Sequence, residues 1–387
     1  MPQSKRKSRP PSREERPAQR AYDVVRACLS RAPAPVRRER VVSFIEEDGE
    51  WSDLGREAAR HRVWLLLFRR LEALLGERLP PALQNEIRER RQRMRIHATF
   101  LARELGRISE AFEDRGLPLL SLKGPVLAHV AYGDIATRRY VDLDVLVPGA
   151  RFEEADRLLR EMGYSDPPGK TGLMGWRRRA ARLLAGQWPY VQAQGAFVVD
   201  LHSRLLPPSF SFPVAFEAFW DRSVPVELSD GVTARRFSRE DMILILAYHG
   251  LKNQWRALKH ITDLAGLICS EPGPDWDVLI RRARETKATR VLALGLSLAR
   301  DLLATPLPPE IQNWVQQKSV EETTSLMAEY LRNRDDPSRS TFGQQVESMW
   351  HRADTQLQLE MKDTVMGQVR HLAYAIVHVF WSAIFKP

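Results

Sequence analysis

The chain reads as an α+β protein: a small mixed β-sheet core flanked by N-terminal and C-terminal helical regions. Three observations predict this. Residues 21–115 and most of 238–387 carry apolar residues at helical spacing. Residues 116–237 change texture, with short apolar runs broken by Gly and Pro. Within that middle stretch the order is strand, helix, strand, helix, followed by a further clear strand.

The 387 residues suffice for two or three domains. We divide them into a disordered basic tail (1–20), an N-terminal helical region (21–115), the sheet-bearing core (116–237), a helical domain that closes a cleft (238–305) and a C-terminal helical extension (306–387). The formal net charge is +10. The tail carries Lys5, Arg6, Lys7, Arg9, Arg13, Arg16 and Arg20 against Glu14 and Glu15, which is half of that excess. With Pro and Ser between the charges and no apolar period, it has nothing to bury. The remaining body is mildly basic, which permits an anionic partner such as a nucleotide or RNA without requiring one. Cys28 and Cys269 are too few and too far apart for a disulfide scaffold or a metal knuckle, and a reducing cytoplasm is the expected setting.

The N-terminal region predicts short helices at Tyr22–Leu29 and Val41–Glu47, then a helix over Leu54–Leu75 with a broad leucine stripe. Pro80-Pro81 stops it, and Ala82–Arg115 reads as one long helix with Arg and Glu interleaved on its outer face. Its basic run Arg88–Arg95 fits a solvated face, the commoner meaning of such a run, or a nucleic-acid contact.

Leu119–Leu122 predicts a buried strand. Lys123-Gly124-Pro125 then turns into a helix from about Val126 to Tyr132, with Pro125 suited to the first helical turn. Tyr140–Val147 alternates with period two: Val141, Leu143, Val145 and Val147 on one face, Asp142, Asp144 and Leu146 on the other. Adjacent carboxylates on one face repel unless a cation lies between them, which points to a divalent metal. Arg151–Gly163 is an amphipathic helix, residues 165–195 read as a mobile loop with a short helix, and Gly195–His202 is a strand carrying a third acid, Asp200. Val226–Arg236 has the look of a hairpin. Ser238–Cys269, opened by Ser238 as N-cap, Trp276–Thr286 and Thr289–Leu303 are expected helices.

If the two acid-bearing strands are neighbours, Asp142, Asp144 and Asp200 converge on a Mg²⁺ site of the two-metal kind. Mg²⁺ held by few carboxylates implies phosphate oxygens as further ligands, hence an NTP. Lys123-Gly124, between a strand and a helix N-terminus, offers backbone N–H groups to phosphate. Arg138 and Arg139 can add charged contacts to the same group. His202 shares the strand face of Asp200, where it could orient an acceptor or hydrogen-bond a neighbouring loop. His249, Lys252, Arg256, Lys259 and Asp263 recur at helical spacing as one polar stripe, either solvated or lining the cleft.

These motifs together, Leu122-Lys123-Gly124, Arg138 with Asp142–Val147, Asp200-Leu201-His202, and His249 with Trp255, Lys259 and Asp263, resemble the nucleotidyltransferase superfamily whose best-known member is DNA polymerase β. Within it, they look like the branch of uncharacterised nucleotidyltransferase-family proteins, over about residues 40–300. The resemblance implies a small mixed sheet with a helical domain closing a nucleotide cleft. It also implies Mg²⁺-dependent transfer of a nucleotidyl group from an NTP to an acceptor: a small molecule, a protein side chain or an RNA end. Pro125 departs from the pattern, since the superfamily has a small residue such as Ser after the motif glycine. The other readings are a non-catalytic nucleotide- or RNA-binding module of the same fold, and an interaction protein. The latter would use the apolar segment Leu372–Phe385 within residues 372–387, which falls short of the roughly 20 residues a membrane span needs. That segment reads first as a helix packed on the core, otherwise as a helix that contacts a membrane surface or partner.

Overall fold

A computed structural model describes residues 17–168, 178, 182, 185–192, 197–206, 214–316 and 318–333. The first 16 residues of the basic tail and the segment Leu372–Phe385 lie outside the described residues. Residues 17–20, expected in the tail, instead begin helix α1 (Pro17–Leu29).

Seven strands form one mixed sheet: β1 (Leu120–Ser121), β2 (Leu143–Leu146), β3 (Tyr164–Ser165), β4 (Gln187–Gln192), β5 (Val198–His202), β6 (Val224–Glu227) and β7 (Thr233–Arg236). Their order is β3-β4-β5-β2-β1-β7-β6. The pairs β2/β5 and β1/β7 are parallel and the others antiparallel. The hairpin expected near Val226–Arg236 is β6/β7. Strand β4 and the second residue of β3, Ser165, correct the expectation of a loop over 165–195. Gly and Arg around them masked the alternation of Trp188 and Tyr190, which are buried against the sheet's own core.

Alternation on β2 separates two cores. Leu143, Val145 and Val147 enter one, with Val199 and Leu201 of β5, helix α7 (Phe152–Glu161) and the second half of α5 (Pro81–Asp114). Leu146 points the other way, into a larger core built with helices α9 (Arg239–Lys252), α10 (Leu258–Cys269) and α12 (Thr289–Leu303). The N-terminal helices α1, α2 (Ala34–Glu46), α3 (Trp51–Arg60) and α4 (Trp64–Leu75) share this second core. Asp144 and Asp200 therefore lie on the sheet face that looks toward the C-terminal helices. Val141 departs from the expected alternation. It lies ahead of β2 and is 55% exposed, because the strand begins only at Leu143, where pairing with β5 begins.

Two expected helices are each two. Leu54–Leu75 breaks after α3, where Arg62 takes φ 58° and Val63 N–H bonds back to the Ala58 carbonyl at 2.8 Å. The break delivers His61, fully buried, to α10, where its Nδ1 accepts from the Leu258 N–H at 3.2 Å. Ser238–Cys269 breaks at 253–257, with Gln254 and Trp255 in the left-handed region. Ser238 does cap α9, accepting from Asp241 N–H. The break folds the Trp255 ring onto Gly250 and Gly295; a Cβ at Gly250 would fall 2.4 Å from the indole, so glycine is what admits it.

Helix α5 changes partner along its length. Leu83 and Ile87 join the helical core and Ala98 to Phe112 join the sheet core, but between Ile87 and Ala98 no residue is buried. The helices α6 (Gly124–Tyr132), α8 (Phe216–Asp221), α11 (Trp276–Glu285), α13 (Pro309–Val315) and α14 (Lys318–Asn333) complete the described chain. None of the described helices is long and apolar enough to cross a membrane.

Candidate active site

Parallel pairing of β2 with β5 sets Asp144 beside Asp200 and Leu146 beside His202. Ligand atoms of Asp144, Asp200 and His202 all lie within 4.8 Å of one another, a group able to hold a metal ion. His202 Nε2 sits 3.0 Å from Asp144 Oδ1, and the Gln187 amide donates to Asp200 Oδ2 at 3.3 Å. Burial opposes ionisation of Asp144, but Lys123 and the hydrogen bond with His202 outweigh it and hold the carboxyl well below the usual range. Asp142 lies outside this three-residue group, in the bend before β2. Burial, then the charge of Asp144, push its carboxyl upward. That is the like-charge conflict a cation would relieve.

Lys123 and Gly124 stand where β1 passes into α6. Gly124 has φ 54° and its α-carbon faces the Asp142 carbonyl; a Cβ there would meet that oxygen at 3.5 Å. The Leu122 N–H donates to the Asp144 carbonyl at 2.9 Å, which ties the turn to the acid strand. Lys123 Nζ donates to His249 Nδ1 at 3.2 Å. His249 is buried, and burial followed by the charges of Lys123 and Lys252 keeps its imidazole neutral, well below the ordinary value. Lys252 is held down by burial and then by Lys123, while Asp144 and Asp200 pull it up. These two helix residues thus belong to the acid cluster, not to a solvated stripe.

The other half of the expected stripe serves a different place, because the 253–257 break separates it from α9. Arg256 lies exposed within that break. Asp263 is buried and receives Arg138 Nε on both oxygens, at 3.0 and 2.9 Å, and the Tyr132 hydroxyl at 2.8 Å. Arg138, expected to reach phosphate, is held here as a buried ion pair. Lys259 is pushed down to about 8 by burial and next by the Arg138 charge. Arg139 is exposed.

Lys259, Arg138, Arg139, Asp142 and Asp263 line one wall of a cleft of about 890 Å³. The facing wall comes from segments the sequence offered no reason to join to the site: Arg62 and Trp64 at the α3/α4 break, and Arg90, Arg93, Met94 and His97 on α5. His97 Nε2 lies 3.1 Å from the Tyr140 carbonyl, which joins the walls. The spacing 90, 93, 94, 97 marks one face of a helix, the signal that could have flagged these residues.

The mixed sheet with its acid cluster, enclosed by helices, is an α+β architecture. A family model described as "Uncharacterised nucleotidyltransferase" matches residues 47–304, two thirds of the chain, and the chain belongs to that family. Among solved structures it is similar to that of the antibiotic-resistance factor ANT(2'')-Ia. The identity is 18%, the match covers 48% of this chain and 92% of that one, and the TM-score is 0.33. No curated protein matches.

Proposed function

We propose that the chain is an enzyme that moves a nucleoside monophosphate from an NTP to an acceptor hydroxyl and releases pyrophosphate, with Mg²⁺ as its metal. The observation that carries this reading is the register that sets Asp144 beside Asp200, one turn away from Lys123-Gly124. Two carboxylates with an imidazole fit a hard divalent cation, and Asp142 is the natural further oxygen ligand. When bound, the ion supplies charge stabilisation to the phosphoryl group and its leaving oxygens.

The chain's own residues do the rest. Asp200, oriented by Gln187, accepts the proton of the acceptor hydroxyl, whose oxygen bonds to the α-phosphorus as the bond to the β-phosphate bridge breaks. His202 fixes the Asp144 carboxylate by its hydrogen bond. The Lys123-Gly124 turn offers its ammonium and the amide groups beyond Pro125 to the triphosphate. Neutral His249 holds Lys123 in place, and Lys252 adds charge from α9. Arg138 and Asp263 brace the loop that leads to Asp142. The test is incubation of the chain with an NTP panel labelled at the α-phosphate, Mg²⁺ and cell extract. Label should move to an acceptor with stoichiometric pyrophosphate. NTP-dependent stabilisation without pyrophosphate release would instead make it a nucleotide-binding module of the same fold.

A further inference from the structure

The cleft beside Asp142 has more positive charge than its own carboxylates neutralise. Arg62, Arg90, Arg93, Arg138, Arg139 and Lys259 line it against Asp142 and Asp263, and Asp263 is taken by Arg138. Arg90 and Arg93 have partners on their own helix, Glu86 and Glu89. Among the described residues Arg62, Arg139 and Lys259 have no carboxylate within ion-pair distance. Cations gathered around one space without counter-charges repel each other, and an anionic ligand removes that cost.

The surroundings say which kind of anion. Helix α5 turns Arg90, Arg93, Met94 and His97 to the cleft, and its other side carries Arg88, Arg91 and Arg95 in a second pocket shared with Glu72 and Glu77. A strand leaving the cleft along α5 would meet Arg90 and Arg93 over one to two helical turns, whereas a small anion would reach only the residues around Lys259. Aromatic and apolar groups are interleaved with the charge. Arg90 lies 4.4 Å over the Trp64 ring, and Trp64 lines the cleft. Ile96 and Phe100, which flank His97 on α5, are 51% and 54% exposed, and Val141 on the opposite wall is also exposed. Exposed apolar surface on a basic track is what unpaired bases stack upon.

We propose that this cleft takes the end of a single-stranded nucleic acid, with Arg62, Arg139 and Lys259 on its terminal phosphates and the cleft-facing side of α5, bearing Arg90 and Arg93, as the track. The assignment rests on the transferase reading only in naming that strand the acceptor, its terminal hydroxyl directed past Asp142 toward Asp144 and Asp200.

The test uses the full chain and a fluorescein-labelled 12-nucleotide single-stranded RNA, read by anisotropy in EDTA from 50 to 300 mM KCl. The wild type should bind with affinity falling about as the third power of salt, the slope expected for four or so neutralised phosphates. Arg93→Glu with Arg139→Glu should weaken binding at least about tenfold and flatten that slope by about 1.4. Arg281→Glu with Arg284→Glu, an equal charge change on exposed residues of α11, should stay within about twofold of wild type, and so should Asp144→Asn. Thermal stabilisation by Mg-NTP should be the same in the cleft variant as in wild type. Equal weakening by the α11 control, or no RNA binding by the wild type at 50 mM KCl, overturns the proposal. Loss of NTP stabilisation with RNA binding intact also overturns it, and makes the cleft the donor's phosphate seat. Expected RNA behaviour without pyrophosphate release from any NTP would sink the transferase reading and leave the nucleic-acid cleft standing.

Discussion

The two halves of the site are built in opposite ways. On the sheet side, Asp144, Asp200 and His202 are placed by backbone pairing between β2 and β5, so their spacing follows from a register and their charges are compensated at close range by Lys123 and each other's hydrogen bonds. On the helix side, Arg62, Arg93, Arg139 and Lys259 come from a helix break, a long helix, a loop and a second helix, with no shared hydrogen-bond ladder. A register leaves little freedom in the position of a metal ligand, as coordination chemistry demands. A surface assembled from long cationic side chains tolerates variation in its ligand, which suits phosphate recognition. The rigid half suits chemistry and the adaptable half suits binding.

That contrast can be broken most directly at Asp144. Asp144→Asn keeps the shape of the side chain but removes the charge at the centre of the acid cluster. Turnover of labelled NTP should fall by about 10³-fold, the upper range for loss of one preorganised electrostatic contact, with RNA affinity unchanged. A comparable loss of both would mean the two halves are not separable.

The buried brace between the halves comes next. Asp263→Asn leaves Arg138 charged and 7% exposed without its partner, and a broken buried ion pair costs about 3–5 kcal/mol. Urea unfolding should show a lowered midpoint at that scale. A cost under about 1 kcal/mol, the range of an exposed pair, would show that the α6–α10 side is wetter than the geometry implies.

Lys259 sharpens the electrostatic side. Its folded value of about 8 lies below the ordinary lysine value. At Lys259 the unfolded chain therefore keeps its proton between about pH 8 and 10.5 where the folded chain loses it, so this residue's contribution to stability should rise with pH across that window and be flat below it. It is read as the difference between wild type and Lys259→Met, because buried Cys28 and Tyr22, raised by burial, act in the opposite sense. Lys259→Met should abolish the rise and, at pH 7, stabilise the fold by on the order of 2 kcal/mol by removing a desolvated charge set among Arg138, Arg62, Lys123 and Asp263. Because the same ammonium is assigned to phosphate, RNA binding in the wild type should weaken as pH rises through about 8. A stability difference between wild type and Lys259→Met that does not change from about pH 7.5 to 10 would mean that Lys259 is solvated.

The smallest effect is expected at Gly124. Alanine there meets only ordinary contact with the Asp142 carbonyl, so the cost is the left-handed φ, about 1–2 kcal/mol. Chevron or equilibrium unfolding measures it. Mg-NTP affinity should drop with stability if the turn cradles phosphate, and should not change if it is only a turn.

Much of the fold was legible because it rests on local signals. Helix α12, the α6 turn and the Ser238 cap each follow from a pattern within a few residues. The acid pair on β2 and the third acid on β5 were legible as strand-face residues, and their meeting required only that the strands be neighbours. Strands β3 and β4 were missed because their alternation is short and lies among turn residues. The single helix expected over Ser238–Cys269 failed because Trp255 finds its place against Gly250 and Gly295, the latter forty residues further along the chain.

By itself the sequence determined the α+β texture, the acids, the glycine turn and the cap, since each depends on backbone periodicity or on one residue's conformational limits. Only the tertiary structure decided that Arg138 would be committed to Asp263 and that residues 62, 90, 93, 94, 97, 139 and 259 would share one cleft. It also decided that His249 and Lys259, ten residues apart in an apparent stripe, would serve different halves of the site. The reason is physical: side-chain charges at long sequence separation carry no periodic signature, and what each one does depends on which desolvated neighbours the packed core brings to it.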